Sequence, residues 1–244
     1  MYLSQLVLEP GRETFRLLAD VHALHRLIMR GFPRSANGRP REEFGVLFRI
    51  EPSGPGEPVR VLVQSRVRPE WPAFGDITVL GPKPLDRLMQ SVRPGAVFRF
   101  RLRANPTRRV HARAAEGSDE ARGRSRPERP ESVGKRVAIH GDERRLAWLT
   151  RQAAEHGFRL LEVEVGDARL PNAGVFGSDR AEYWVGEKRG AGGTRRVVVE
   201  SALFEGVLEV TDPEKFRGAV ERGIGPAKAF GCGLLSIAPL GAST

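Results

Sequence analysis

Six consecutive residues, Phe98-Arg99-Phe100-Arg101-Leu102-Arg103, alternate apolar and basic side chains without a break. Successive side chains of a β-strand point to opposite faces. A period of two therefore fixes this segment as a strand with one buried face and one arginine face. Alternate side chains on such a face lie roughly 7 Å apart, at ~3.3 Å of rise per residue, which is close to the phosphate spacing of a nucleic-acid strand. The plainer reading is a charged strand face turned to water.

Around this strand the chain divides into two similar series. Tyr2 to Leu8 reads as a strand. Asp20 to Arg30 reads as a helix, with Val21, Leu24, Leu27 and Ile28 on one apolar face and Asp20 placed to cap it. Phe44–Glu51 and Val59–Ser65 read as strands joined by the turn Pro52-Ser53-Gly54-Pro55-Gly56, and Ile77–Leu80 as a further short strand. The Pro/Gly cluster Gly81–Pro84, followed by Pro94-Gly95, places a boundary near residue 90. Beyond it come the strand Val97–Arg103, a helix over 142–156, strand-rich segments at Arg159–Val165 and Val197–Val210, a helix Pro213–Arg222 capped by Asp212, and a final strand Leu234–Ala238. This second series is β-α-β-β-α-β, the ferredoxin-like order. The first fits the same order with a weak second helix. The expected fold class is α+β, with two tandem ferredoxin-like (RRM-like) βαββαβ domains over residues 1–90 and 95–244. Residues 112–132 hold no aromatic and no aliphatic side chain beyond Ala, so they are expected to form a flexible basic insertion that RNA could order.

The charge narrows the partner. Lys+Arg is 40 and Asp+Glu is 30, a net charge of +10, and 35 of the 40 cations are arginines, whose planar fork suits phosphate. Pro94–Ala115 carries six arginines and no acid, and Lys188–Arg196 carries four basic residues and no acid, whereas Ser201–Thr244 has a net charge of −1. Two acid-free runs favour a groove for a polyanion, nucleic acid first. No apolar run reaches the ~18 residues of a membrane span, and the first residues lack the pattern of a signal peptide. Cys232 is the only cysteine, which excludes an internal disulfide and any Cys-cluster zinc site. The expectation is a soluble cytoplasmic protein without a cofactor or a metal.

Two features carry chemistry. His22 and His25 are neighbours three apart on the first helix, with Arg26 and Arg30 following. An imidazole can move a proton near neutrality and a guanidinium can stabilise a strained phosphate, so this set could cleave RNA by attack of its own 2′-hydroxyl. A pair of histidines at this spacing is more often structural, and a metal half-site using Asp20 is a further rival. The second feature is Gly223-Ile224-Gly225-Pro226-Ala227-Lys228-Ala229-Phe230-Gly231-Cys232-Gly233, four glycines in eleven residues between a helix and a strand. Such a loop can approach a phosphate backbone closely, with Lys228 supplying charge. It lacks the order of a Walker loop and the strand-first context of a dinucleotide site.

Several segments together resemble one family. Met1-Tyr2-Leu3-Ser4, Phe98 to Pro106, Ala147-Trp148-Leu149, Leu203 to Leu208 and the block Gly223 to Pro239 are similar, in this order, to the CasE family of CRISPR-associated endoribonucleases, type I-E members of the RAMP superfamily. The resemblance implies tandem ferredoxin-like domains. It also implies metal-independent cleavage of precursor CRISPR RNA at the 3′ base of each repeat hairpin, by 2′-OH attack leaving a 2′,3′-cyclic phosphate. The enzyme would then stay on the mature crRNA as a subunit of Cascade, meeting DNA only through that complex. The family's catalytic histidine matches His25, its usual tyrosine is replaced by His22, and Arg26 and Arg30 fall at positions that are often basic. Arg99, Arg101, Arg103, Lys135, Arg136, Lys188, Arg189, Arg195 and Arg196 are expected to grip the hairpin, and Gly223, Gly225, Lys228, Gly231 and Gly233 to hold RNA. The competing readings are a non-catalytic RNA-hairpin-binding subunit of a ribonucleoprotein and a ferredoxin-like regulator that binds a small molecule.

Overall fold

A computed structural model describes residues 1–35, 38–110, 134–186 and 194–240. The insertion expected at 112–132, and with it Lys188 and Arg189, lies outside the described residues. Arg195 is placed only as the backbone partner of Val185.

The first unit runs β1 (Tyr2–Leu8), α1 (Arg12–Ala19), α2 (Val21–Met29), α3 (Pro40–Glu43), β2 (Leu47–Ile50), β3 (Val59–Ser65), β4 (Ile77–Pro84) and α4 (Asp86–Gln90). Its strands form an antiparallel sheet in the order β2-β3-β1-β4, the ferredoxin-like arrangement. No helix crosses between β3 and β4, in line with the weak helical pattern there. The expected helix is preceded by another, α1, because Asp20 breaks the run. The Asp20 carboxylate accepts hydrogen bonds from the His22 and Ala23 amides at 2.9 and 3.1 Å and starts α2 afresh. Leu6, Leu8, Val61 and Val63 from the sheet and Leu17, Val21, Leu24 and Ile28 from the helices close the core between them.

The second unit comprises β5 (Val97–Ala104), the small pair β6 (Thr107–Arg109) and β7 (Arg136–Ala138), α5 (Asp142–Glu155), β8 (Phe158–Leu160), the hairpin β9 (Glu162–Val165) and β10 (Ala168–Pro171), the long strands β11 (Ala173–Gly186) and β12 (Thr194–Val210), α6 (Pro213–Arg222), a one-turn 3-10 helix at Lys228–Phe230, and β13 (Leu235–Pro239). The sheet order is β11-β12-β5-β13, and β8 continues the edge occupied by β11. Read as β13-β5-β12-β8, this is again the ferredoxin-like order. The chain is therefore two ferredoxin-like units in tandem. Trp148, Leu149, Phe158, Phe204 and Phe216 fill the second core.

Three expectations change. The strand expected at Ile77–Leu80 runs on through Gly81–Pro84, which completes β4 at the sheet edge, where proline is tolerated. The segment Arg159–Val165 divides at Leu161, because β8 pairs with β12 while β9 pairs with β10. Phe44–Val46 turns into β2 instead of belonging to it, with Gly45 at positive φ.

The alternating strand β5 lies in the middle of its sheet, and its arginine face is not a bare basic ridge. Arg99 is exposed. Arg101 pairs with Glu51 at 2.8 Å and Glu205 at 2.7 Å, and Arg103 pairs with Asp179. Glu51 comes from the first unit, so this face is the seam between the two. Arg49 of β2 lies at the same seam, about 1% exposed. Its guanidinium donates to Glu51, to the carbonyls of Arg101 and Leu234 at 3.0 and 3.1 Å, and to the Ser236 hydroxyl at 3.0 Å. Gln64 of β3 adds a bond to the Val220 carbonyl at 2.7 Å.

Candidate active site

The docking at the seam brings the glycine-rich loop of the second unit onto α2 of the first. The capped start of α2 places His22 and His25 on the side of the helix that faces this loop. The His22 ring meets the Phe230 ring edge-on at 5.2 Å, and the His25 ring tilts against Phe48 of β2 at 6.3 Å. The Nε2 atoms of both histidines are enclosed and have no hydrogen-bond partner among the described residues. A buried polar atom without a partner is uncommon in a stable fold and marks a place where a ligand group could complete the bonding.

The surroundings hold His25 neutral. Burial first, then the charge of Arg41, then His22 and Arg26 push its imidazole from 6.5 down to about 4. Burial also lowers Lys228 from its ordinary value, and the Arg41 and Arg222 charges lower it further. Burial pushes the Cys232 thiol up to about 12, so it is an inert packing group. The His25 shift has a sign that can be measured. Below pH 6.5 the unfolded chain gains a proton on this imidazole that the folded chain refuses until about pH 4, so stability contributed above 6.5 is lost across that window. Thermal unfolding at pH 7, 5 and 4 will show a smaller acid-induced fall for His25→Gln than for the wild-type chain.

The loop glycines serve the docking itself. Gly223, Gly231 and Gly233, expected to hold RNA, are buried, and Gly225 is half-buried. Gly223 ends α6 at φ 73°, ψ 161°, a region open essentially to glycine alone. A Cβ there would come within 2.7 Å of the Gly233 carbonyl and 2.9 Å of the Leu47 side chain. Gly223→Ala will therefore lower stability by ~2–3 kcal/mol, read as a fall in Tm of roughly 4–12 °C.

The remaining expected residues divide by location. Arg26 is exposed near the histidines and pairs with Asp20 at 3.5 Å. Arg30 is not brought to His25. Five residues further along α2, it points about 140° around the helix, where its guanidinium lies over the Phe74 ring at 5.2 Å. Arg41 takes its place as the charge felt by both His25 and Lys228. Nothing in the sequence distinguished Arg41 from its many neighbours in kind, since it sits on a helix of four residues. Arg136 and Arg109 pair across β6 and β7 and line a cavity of about 270 Å³ with Gly225 and Trp148. Lys135, beside them, is exposed. Arg196, on β12, is exposed and pairs with Glu182.

Comparison with known proteins bears on this arrangement. The model of a family described as CRISPR associated protein matches residues 1–239. The CRISPR-associated endoribonuclease Cse3 of Thermus thermophilus is 37% identical over 243 residues, covering 98% of this chain and 100% of that protein. The CRISPR system Cascade subunit CasE of Escherichia coli K12 is 30% identical over 244 residues, with 98% and 100% covered. The solved structure of CRISPR endoribonuclease Cse3 bound to a 19-nucleotide RNA matches with a TM-score of 0.75 at 36% identity, covering 98% of this chain and 100% of that one.

Proposed function

Because this chain belongs to the CRISPR-associated protein family matched over residues 1–239, we propose that it is the endoribonuclease that cuts precursor CRISPR RNA within each repeat, at the 3′ base of the repeat hairpin. It then remains on the mature crRNA as a Cascade subunit in the cytoplasm. Support comes from two full-length relatives, one named an endoribonuclease and the other a Cascade subunit, and from a similar structure that holds RNA. No helix among the described residues is long and apolar enough to cross a membrane.

The observation that carries the reading is the pair of unpartnered Nε2 atoms beside the glycine-rich loop. His25, neutral at physiological pH, accepts the proton of the 2′-hydroxyl. The 2′-oxygen bonds to the adjacent phosphorus, the bond from phosphorus to the 5′-oxygen breaks, and a 2′,3′-cyclic phosphate results. The leaving 5′-oxygen takes up a proton from His22. Arg26, Arg41 and Lys228 surround this step with positive charge, which favours the added negative charge on the phosphorane oxygens. Arg99, Lys135, Arg136 and Arg196, together with Lys188, Arg189 and Arg195, supply phosphate contacts along the stem. Arg101 and Arg103 serve the seam first. The domain assignment that accompanies this reading is 1–90 for the unit bearing α2 and 95–244 for the unit bearing the loop.

The test is cleavage of a repeat hairpin in EDTA. The wild-type chain will release the 3′ fragment and leave a cyclic phosphate on the hairpin product. Cleavage that needs added metal overturns the mechanism, and absence of hairpin binding overturns the function.

A further inference from the structure

A second cleft opens on the other side of Phe230. The Phe230 ring touches His22 on one side and the Tyr183 ring of β11 at 4.7 Å on the other. Beyond this wall lies a cavity of about 270 Å³, lined by apolar groups such as Ile50 and Val199 and, besides Tyr183, by four polar side chains, Glu51, Arg103, Asp179 and Ser201, of which Glu51 is already held by Arg49 and Arg101. That volume is small for a drug-sized ligand and suits a single planar ring system.

The polar groups define what the ring system must offer. Arg103 donates through Nη1 to Asp179 and to the Ser201 hydroxyl at 3.3 Å, while its Nε is buried with no acceptor among the described residues. Arg103, which lines the cavity, thus keeps one N–H donor unanswered beside a carboxylate, which accepts only, on an exposed rim. Of the four RNA bases, guanine alone presents two adjacent donors, N1–H and N2–H, beside an acceptor, O6. Adenine and cytosine each offer one amino donor next to an acceptor nitrogen. Uracil offers one donor between two acceptors. Aromatic walls with polar edges are the usual means of reading an unpaired RNA base.

The geometry points to a guanine-reading pocket, formed by Asp179, Arg103, Tyr183 and Phe230, for an unpaired nucleotide next to the scissile phosphate. This inference rests on the proposed endoribonuclease reading, because Phe230 is the wall shared with His22. In the pocket the Asp179 carboxylate accepts from N1–H and N2–H, Arg103 Nε donates to O6, and the ring lies against the aromatic wall. The pocket gives the enzyme a means of choosing its cleavage position that is separate from its grip on the stem.

The test uses the full chain and repeat hairpins carrying guanine, inosine or adenine at the unpaired positions flanking the scissile phosphate. Wild-type single-turnover cleavage will be roughly 10-fold or more faster with guanine than with adenine at one of these positions. Inosine, which lacks the N2 amine, will fall between them. Asp179→Ala, checked for an unchanged Tm, will bring the three rates within about twofold of one another. A wild-type enzyme indifferent to the base at every flanking position overturns the pocket. So does an Asp179→Ala enzyme that slows all three substrates equally, since that outcome marks a purely structural ion pair. A wild-type enzyme that cleaves none of the hairpins overturns the endoribonuclease reading itself, a result distinct from indifference to the base.

Discussion

Replacing His25 by alanine will slow single-turnover cleavage of the repeat hairpin by about 10²- to 10⁴-fold, the usual worth of a positioned general base. Hairpin affinity will stay within about threefold, because the proposed stem contacts lie on other elements. The pH profile gives a sharper version of the same result. Apparent kcat/KM reports groups of the free enzyme, and His25 of the free enzyme stays neutral down to about pH 4. The wild-type rate will therefore hold level as pH falls from 7 to 5, where an unperturbed imidazole base would lose most of its activity. Arg41→Ala removes the largest charge acting against the His25 imidazolium and will shift the acid limb to higher pH. Cleavage that survives His25→Ala, or an acid limb near 6.5 in the wild-type enzyme, removes His25 from the role of base.

Arg49→Ala will destabilise the chain by ~3–5 kcal/mol, the cost of breaking a buried ion pair from one side. Glu51, 11% exposed, keeps only Arg101 of its two partners, and the Arg101 and Leu234 carbonyls lose a donor. At roughly 2–4 °C per kcal/mol for a chain of this size, Tm will fall by about 6–20 °C. Arg49→Met combined with Glu51→Met will recover much of that loss, because apolar groups of similar volume can replace a buried ion pair and Arg101 keeps Glu205. Differential scanning calorimetry of the three proteins separates the outcomes. A double variant as unstable as Arg49→Ala would show that the carbonyl contacts, and not the ion pair, hold the seam. Activity below Tm is a second readout, since the same seam presses the glycine-rich loop onto α2.

Much of the fold was legible in the residues. Period-two runs gave β1, β3 and β5 almost to the residue, and Asp20 and Asp212 announced the starts of α2 and α6. Arg49 was not legible. In Leu47-Phe48-Arg49-Ile50 it looks like the outward residue of an ordinary strand, and only the second unit, packed over that outer face, buries it. The same packing explains why the arginine face of β5 was misjudged. An alternating pattern tells which residues share a face and is silent on what covers that face. The histidine pair was visible as a spacing, but its meeting with the glycine-rich loop joins segments some 200 residues apart in the sequence. Family resemblance, not periodicity, linked them. Arg30 lies over Phe74 and away from His25 because a helix of nine residues turns more than twice, and nearness in number is not nearness on a face.

Synthesis order gives the Phe230–His22 contact a consequence in time. The ribosome produces the imidazoles within the first thirty residues and the loop that adjoins them only after more than two hundred. A nascent chain can therefore carry a folded α2 long before it has a loop to set against it. During that interval His22 lacks the Phe230 ring that packs against it, and RNA near the polysome meets an unfinished tool. The contact between loop and α2 is complete only once the residues leading into the last strand, β13, have been made, so the site closes at the end of the chain's synthesis.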